Sequence, residues 1–168
     1  MTISRRQFLR GNIISKGPAV RPPWSLPEAA FISTCTRCSL CTDNCPEKII
    51  VTGLGGYPEI RFNEGGCSFC GECVAVCEVN ALQHSSESLP WTLTATITGD
   101  CLARQNVTCH ACIDACEPEA IHLYSTQGGV SHPVINISRC TGCGFCVYPC
   151  PVQAIKVTEN STGDELCQ

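Results

Sequence analysis

Sixteen of the seventeen cysteines in this chain fall into four groups with nearly the same spacing. Cys35, Cys38, Cys41 and Cys45 are separated by two, two and three residues, and Pro46 follows. Cys67, Cys70, Cys73 and Cys77 repeat the pattern before Glu78, and Cys140, Cys143, Cys146 and Cys150 repeat it before Pro151. Cys101, Cys109, Cys112 and Cys116 keep it except for a first gap of seven residues. A cubane of four irons and four sulfides takes one thiolate per iron. Three thiols two residues apart fit one tight loop around three corners of such a cube. The fourth corner faces away from that loop and is reached from elsewhere. A disulfide framework would call for an oxidising compartment and an efficient signal peptide. Zinc sites favour two C-x2-C pairs or mixed Cys/His sets. The sequence offers no clear sign of the first, and four cysteines spaced two, two and three apart are not the usual form of the second. The long gap in the third group weakens the case for Cys101 as a ligand. His110 reads as a surface residue or one supporting a ligand, and Cys167 as a free thiol without function.

Composition supports a chain held together by bonds rather than by packing. Its 168 residues suffice for one ordinary domain or two small ones, yet only 6% are aromatic and 15% charged. A core this thin needs help from metals or cross-links. No run of 18 apolar residues exists, so no helix is expected to span a bilayer. Five basic and no acidic side chains occupy residues 1–27; the remainder holds six basic against fifteen acidic ones, a formal −9. Each oxidised cubane with its four thiolates adds about −2, which takes the whole chain to about −12 with four sites filled. Such a body avoids nucleic acid and favours basic protein surfaces. A basic arm on an acidic body suggests docking onto the body itself or onto a partner. The four histidines are scattered, no nucleophile–base pair stands out, and no G-x-G-x-x-G follows a predicted strand. The expected role is storage or movement of single electrons, without a catalytic site.

The cysteine pattern resembles that of bacterial two-cluster ferredoxins, in which the fourth cysteine of each motif ligates the other cluster. The resemblance covers most of residues 35–151. It implies four [4Fe–4S] clusters held by all sixteen grouped cysteines, with crossed ligation inside each pair of motifs. Linker content suggests which motifs pair. Residues 47–67 and 117–140 each carry a β-branched run, Gly-Gly, a proline and an alternating strand, which is a hairpin signature. Residues 78–101 lack Gly-Gly and contain the polar Ser85-Ser86-Glu87-Ser88, reading as a linker followed by an incoming strand over Trp91–Thr98. Residues 29–35 suit the same incoming-strand role before Cys35. The fold class expected is α+β, with two tandem ferredoxin-like units of short strands and helices over 28–86 and 89–158. A basic, proline-containing arm over 1–27 precedes them, and a tail over 159–168 follows. Sequential pairing then groups Cys35, Cys38, Cys41 with Cys77; Cys67, Cys70, Cys73 with Cys45; Cys101, Cys109, Cys112 with Cys150; and Cys140, Cys143, Cys146 with Cys116. A nested pairing, first motif with fourth, stays open because proline follows only the outer motifs. Gly66, Gly71, Gly142 and Gly144 suit amide approach to sulfur or ordinary turns. Phe69 and Phe145 suit shields over a cluster, and Ile49, Ile121 and Ile155 suit the core.

The N-terminus adds a narrower resemblance. Ser4-Arg5-Arg6-Gln7-Phe8-Leu9-Arg10 looks like a twin-arginine export motif, but the apolar stretch such a signal needs does not follow it. That start, the lead Arg21-Pro22-Pro23-Trp24-Ser25 and four cluster motifs in a chain this short together resemble the NapF family, ferredoxin-type accessory proteins of periplasmic nitrate reductase systems. The resemblance implies a cytoplasmic iron–sulfur protein. It would act on the immature molybdenum-containing catalytic subunit before export, in its maturation or by supplying electrons. Two alternatives stand beside it: a permanent electron-transfer subunit of a membrane-associated oxidoreductase, and a binding module whose clusters are only structural.

Overall fold

The computed structural model describes residues 19–84, 89–125 and 131–159. The Arg5-Arg6 motif, the Ser85–Ser88 linker, Gly128-Gly129 and Cys167 lie outside these. Among the described residues there are three two-stranded antiparallel sheets. Strands β1 (Ile50–Thr52) and β2 (Pro58–Ile60) form the first expected hairpin, in register Ile50 to Ile60. Its turn, Leu54–Gly56, places Gly55 and Gly56 at φ 70° and 83°, which glycine adopts without penalty. The second hairpin pairs β4 (Ile121–Ser125) with β5 (Ser131–Ile135). The expected incoming strand is β3 (Leu93–Ile97), and it pairs with the last strand, β6 (Ile155–Glu159).

The first unit departs from the sequence expectation. Residues 29–35 do not form an incoming strand; Glu28–Thr34 is helix α1. Pro27 stands immediately before it, Glu28 favours the positive end of the helix dipole, and Ala29-Ala30 are strong helix formers. Phe31 on this helix is fully buried. Pairing with the chain's return is taken over further upstream, where Ser25 bridges Leu82 and the Leu26 and Gln83 amides donate to the Ala81 and Trp24 carbonyls. Three one-turn helices follow: α2 (Leu40–Asp43), α3 (Glu72–Ala75) and α4 (Ala111–Asp114). Each contains the third cysteine of its motif and turns the chain toward the fourth.

The larger core cluster joins Phe31, Ile49, Ile50, Ile60, Phe62, Ala81, Leu82 and, from β3, Leu93. The second is smaller: Ala95, Ile121 and Ile155 with Cys112 and Cys146. Ile49, Ile121 and Ile155 are thus core residues, as expected. The end of the basic arm is docked on the body. Arg21 donates to Glu28 from Nη2 and Nε (2.7 and 2.9 Å) and to the Pro58 carbonyl from Nη1 (3.1 Å), and lies over the Phe31 and Tyr57 rings. Pro22 and Pro23 are buried beside it.

The two halves meet through their cysteine loops. The Cys67 amide donates to the Cys143 carbonyl at 2.7 Å. Phe145 lies on Gly66, where an added Cβ would sit 2.5 Å from the Phe145 ring, and Phe62 lies on Gly144. The Trp91 indole donates to the Thr141 carbonyl at 2.9 Å and meets Phe62 and Phe69 edge-to-face.

Candidate iron–sulfur sites

Loop curvature in three of the four motifs comes with left-handed residues on both sides of the second cysteine. In the first motif Arg37 and Ser39, flanking Cys38, have φ 61° and 66°. In the second, Phe69 and Gly71 flank Cys70 at 54° and 81°; in the fourth, Gly142 and Gly144 flank Cys143 at 70° and 83°. Alternating right- and left-handed residues point successive N–H groups into one concavity, an arrangement suited to anionic groups such as iron-bound sulfide and thiolate. The third motif lacks this alternation, and His110 has φ −125°. His110 is exposed, in keeping with a surface role.

A second device recurs after all four fourth cysteines. The residue three positions on is left-handed each time: Lys48 (55°), Asn80 (55°), Glu119 (49°) and Gln153 (51°). Its amide donates back to the cysteine carbonyl at 3.2, 3.1, 2.8 and 3.1 Å, respectively. The next residue, Ile49, Ala81, Ala120 or Ala154, is at most 2% exposed. In the second half this turn aims the amides of Ala120 and Ala154 at the sulfurs of Cys116 and Cys150, both at 3.2 Å. The Ala95 amide also reaches Cys140 Sγ, at 3.5 Å. Sequence reasoning missed these amide donors, although alanine at the fourth position past the cysteine in three motifs was a visible signal.

The sixteen thiols gather into four sets. Cys45, Cys67, Cys70 and Cys73 line one cavity with Pro46, Trp24 and Phe69. Cys101, Cys109, Cys112 and Cys150 line another with Pro133 and Pro151. Cys116, Cys140, Cys143 and Cys146 line a third with Pro118. The Cys41 thiol has the thiols of Cys35, Cys38 and Cys77 as its neighbours. The fourth cysteine of each motif therefore lies with the other motif of its half, and the pairing is sequential rather than nested. Cys101 is brought in despite the long gap, because the 3-10 turn Leu102–Gln105 takes up the extra residues. Phe69 covers its own motif's cavity, whereas Phe145 packs on Gly66 across the junction. Gly66, Gly142 and Gly144 are demanded by that junction and by Leu93, beyond any approach to sulfur.

These sets suit a cubane better than a single ion. Among the described residues no group of three or more His, Cys, Asp or Glu converges on one ion position. A four-iron cubane spreads its thiolates over the corners of a larger tetrahedron. Burial pushes the Cys73 and Cys146 thiols up to about 12, and Cys41, Cys67 and Cys112 up to about 11, with neighbouring thiols adding to the shift. At neutral pH such thiols keep their protons until a positively charged partner displaces them, so loading with iron releases protons.

Comparison with known proteins agrees with this geometry. Residues 34–82 match one family model described as a 4Fe-4S dicluster domain, and residues 107–155 match another of the same description. The chain is thus a tandem dicluster iron–sulfur protein of ferredoxin type. The second match begins after Cys101, whose place in its set rests on the fold. The chain is 41% identical to the ferredoxin-type protein NapF of Escherichia coli strain K12 over 152 residues, covering 90% of this chain and 92% of that one. It is 38% identical to the NapF of Haemophilus influenzae over 94% of each. The methylamine utilization ferredoxin-type protein MauM of Methylobacillus flagellatus is 29% identical, over 93% of this chain and 75% of that protein. The chain belongs to the NapF family of ferredoxin-type proteins, and its role is iron–sulfur electron transfer.

Proposed function

We propose that the chain holds four [4Fe–4S] clusters and serves in the cytoplasm as an accessory protein to the molybdenum catalytic subunit of a periplasmic nitrate reductase, before that subunit is exported. The first site uses Cys35, Cys38, Cys41 and Cys77; the second Cys67, Cys70, Cys73 and Cys45. The third uses Cys101, Cys109, Cys112 and Cys150; the fourth Cys140, Cys143, Cys146 and Cys116. The observation carrying the cluster assignment is the convergence of four thiols on each of three cavities, with the fourth set around Cys41. Near end-to-end identity to NapF proteins supports the choice of system.

When bound, the clusters supply one-electron redox chemistry. The chain's own residues do the rest. Thiolates hold the iron, Trp24, Phe69, Pro46 and Pro151 wall sites from water, and the Ala120 and Ala154 amides bond ligand sulfur. Such amide bonds draw charge off the thiolate and favour the reduced form. The units proposed are 28–86 and 89–158, and the protein has no catalytic site of its own. Among the described residues no helix is long and apolar enough to cross a membrane.

Anaerobic capture of tagged protein from nitrate-grown cells tests this reading. An unexported molybdoenzyme precursor among the captured proteins supports it. Membrane quinol-oxidising subunits in fixed ratio, without precursor, would instead make the chain a permanent electron-transfer subunit.

A further inference from the structure

The two halves meet where Leu93 joins the first core and Pro90 accepts from Trp24, and the ligand-bearing loops of the second and fourth sites meet there as well. Cys67 and Cys143 are themselves proposed ligands, and the hydrogen bond of 2.7 Å runs directly from one backbone to the other. Gly66 adjoins Cys67 and receives Phe145; Gly144 adjoins Cys143 and receives Phe62. Trp91 donates to Thr141 within its own half and meets Phe62 and Phe69 of the other half edge-to-face. An ordinary interface between units could use strand faces or helix surfaces. Here bare glycine backbone beside a ligand on each side lets the two loops approach closely. Among the described residues no hydrogen bond joins the loops of the first or third site to the other half.

We infer that this junction makes the second and fourth sites neighbours across the two halves, so that the four sites form one series in the order first, second, fourth, third. Within each half the link is the exchange of fourth cysteines, Cys45 with Cys77 and Cys116 with Cys150. Between halves it is the Cys67–Cys143 backbone bond, locked by Phe62, Phe145 and Trp91. The inference rests on the four-site assignment above. At each link one electron leaves a site, which is oxidised, and enters the next, which is reduced. No proton, bond or group moves, and the source is a low-potential one-electron donor, dithionite in the test below.

The test is electron paramagnetic resonance of holoprotein reduced with dithionite, alongside iron and sulfide analysis. The double variant Cys38→Ser/Cys109→Ser removes the outer sites and should retain about half of the wild-type iron. Its remaining spins, in the second and fourth sites, should show a split or broadened, fast-relaxing signal. Cys70→Ser/Cys146→Ser leaves the outer sites and should give two independent signals. Two non-interacting signals from the first variant at half iron would overturn the inference. Full iron in both variants would overturn the site assignment instead, so the two failures are told apart. Gly66→Val drives a side chain into Phe145 without touching a ligand. At wild-type iron content it should lose the coupling between the inner sites, and unchanged coupling would also overturn the junction.

Discussion

The left-handed residue after each fourth cysteine offers a quantitative handle on how the chain holds its clusters. Gln153 is the cleanest of the four: it is exposed, and its φ of 51° brings the Ala154 amide to Cys150 Sγ at 3.2 Å. A side chain in this conformation costs an L residue roughly 1–2 kcal/mol. Gln153→Gly removes that strain but adds freedom to the unfolded chain, which offsets about 0.4–1 kcal/mol. The net expectation is a gain of about 0.5–1 kcal/mol. Gln153→Val goes the other way, because a β-branched residue is a true outlier at positive φ. It either keeps the turn under strain or releases it and forfeits an amide bond to a charged sulfur, about 1.5–3 kcal/mol. The assay is the anaerobic rate at which visible cluster absorbance decays on mild heating. A gain of about 0.5–1 kcal/mol corresponds to roughly 2–5-fold, and a loss of about 1.5–3 kcal/mol to roughly 10–150-fold. Gly should release clusters more slowly than wild type, and Val faster. Equal rates for Gly and Val, or the reverse order, would refute the claim that this turn holds the site together.

Cys45→Ala should remove the cluster shared with Cys67, Cys70 and Cys73 and spare the one at Cys35, Cys38 and Cys41; spectroscopy showing the opposite loss would exclude crossed ligation. Phe31→Ala empties a fully buried site and should destabilise the first half by about 3–5 kcal/mol, read by hydrogen exchange at the β1 and β2 amides. Arg21→Met removes the fork that ties Glu28, Pro58 and two rings; since Glu28 is largely exposed, its ion pair contributes at most about 1 kcal/mol, and lost hydrogen bonding and ring contact account for the rest of any decrease in denaturation midpoint. The hydrogen bond from Arg21 holds the Glu28 carboxyl below the ordinary glutamate range. A group with a lowered folded pKa stabilises above its unfolded pKa and loses that contribution as pH falls through the folded one. The stability gap between wild type and Glu28→Gln should therefore be full near neutrality and close as the solution is acidified below that range. Stripping iron anaerobically with a chelator should expose β3 and β6 to exchange before β1 and β2, because the second core cluster is smaller and two of its five members are cysteines.

Much of the site was legible in residue spacing, since a cubane's demand for thiolates is met by local sequence. Three cysteines two apart place three ligands on one loop whatever the rest of the chain does. Gly55-Gly56 and the β-branched runs of the hairpins are equally local, and both hairpins formed where expected. The helix at Glu28–Thr34 was misread because its apolar residues Phe31 and Ile32 suit strand or helix alike. The choice was made by Pro27 at its start and by a closed pocket for Phe31. The run of left-handed residues three past each fourth cysteine was also hidden, because Lys48, Glu119 and Gln153 do not advertise positive φ as glycine does. They accept strain because the turn is held by a bond to the cysteine carbonyl and by burial of the next residue.

By itself, then, the sequence determined the cysteine inventory, its division into four motifs and the iron–sulfur class of the chain, because metal-ligand chemistry depends on residue type and short-range spacing. Only the tertiary structure decided where each fourth cysteine goes, that Cys101 joins its set, and that the loops of Cys67 and Cys143 meet. Those facts depend on contacts between residues tens of positions apart. At the junction such contacts are set by how Phe62, Leu93 and Phe145 fit against bare glycine backbone, and no local pattern encodes that fit.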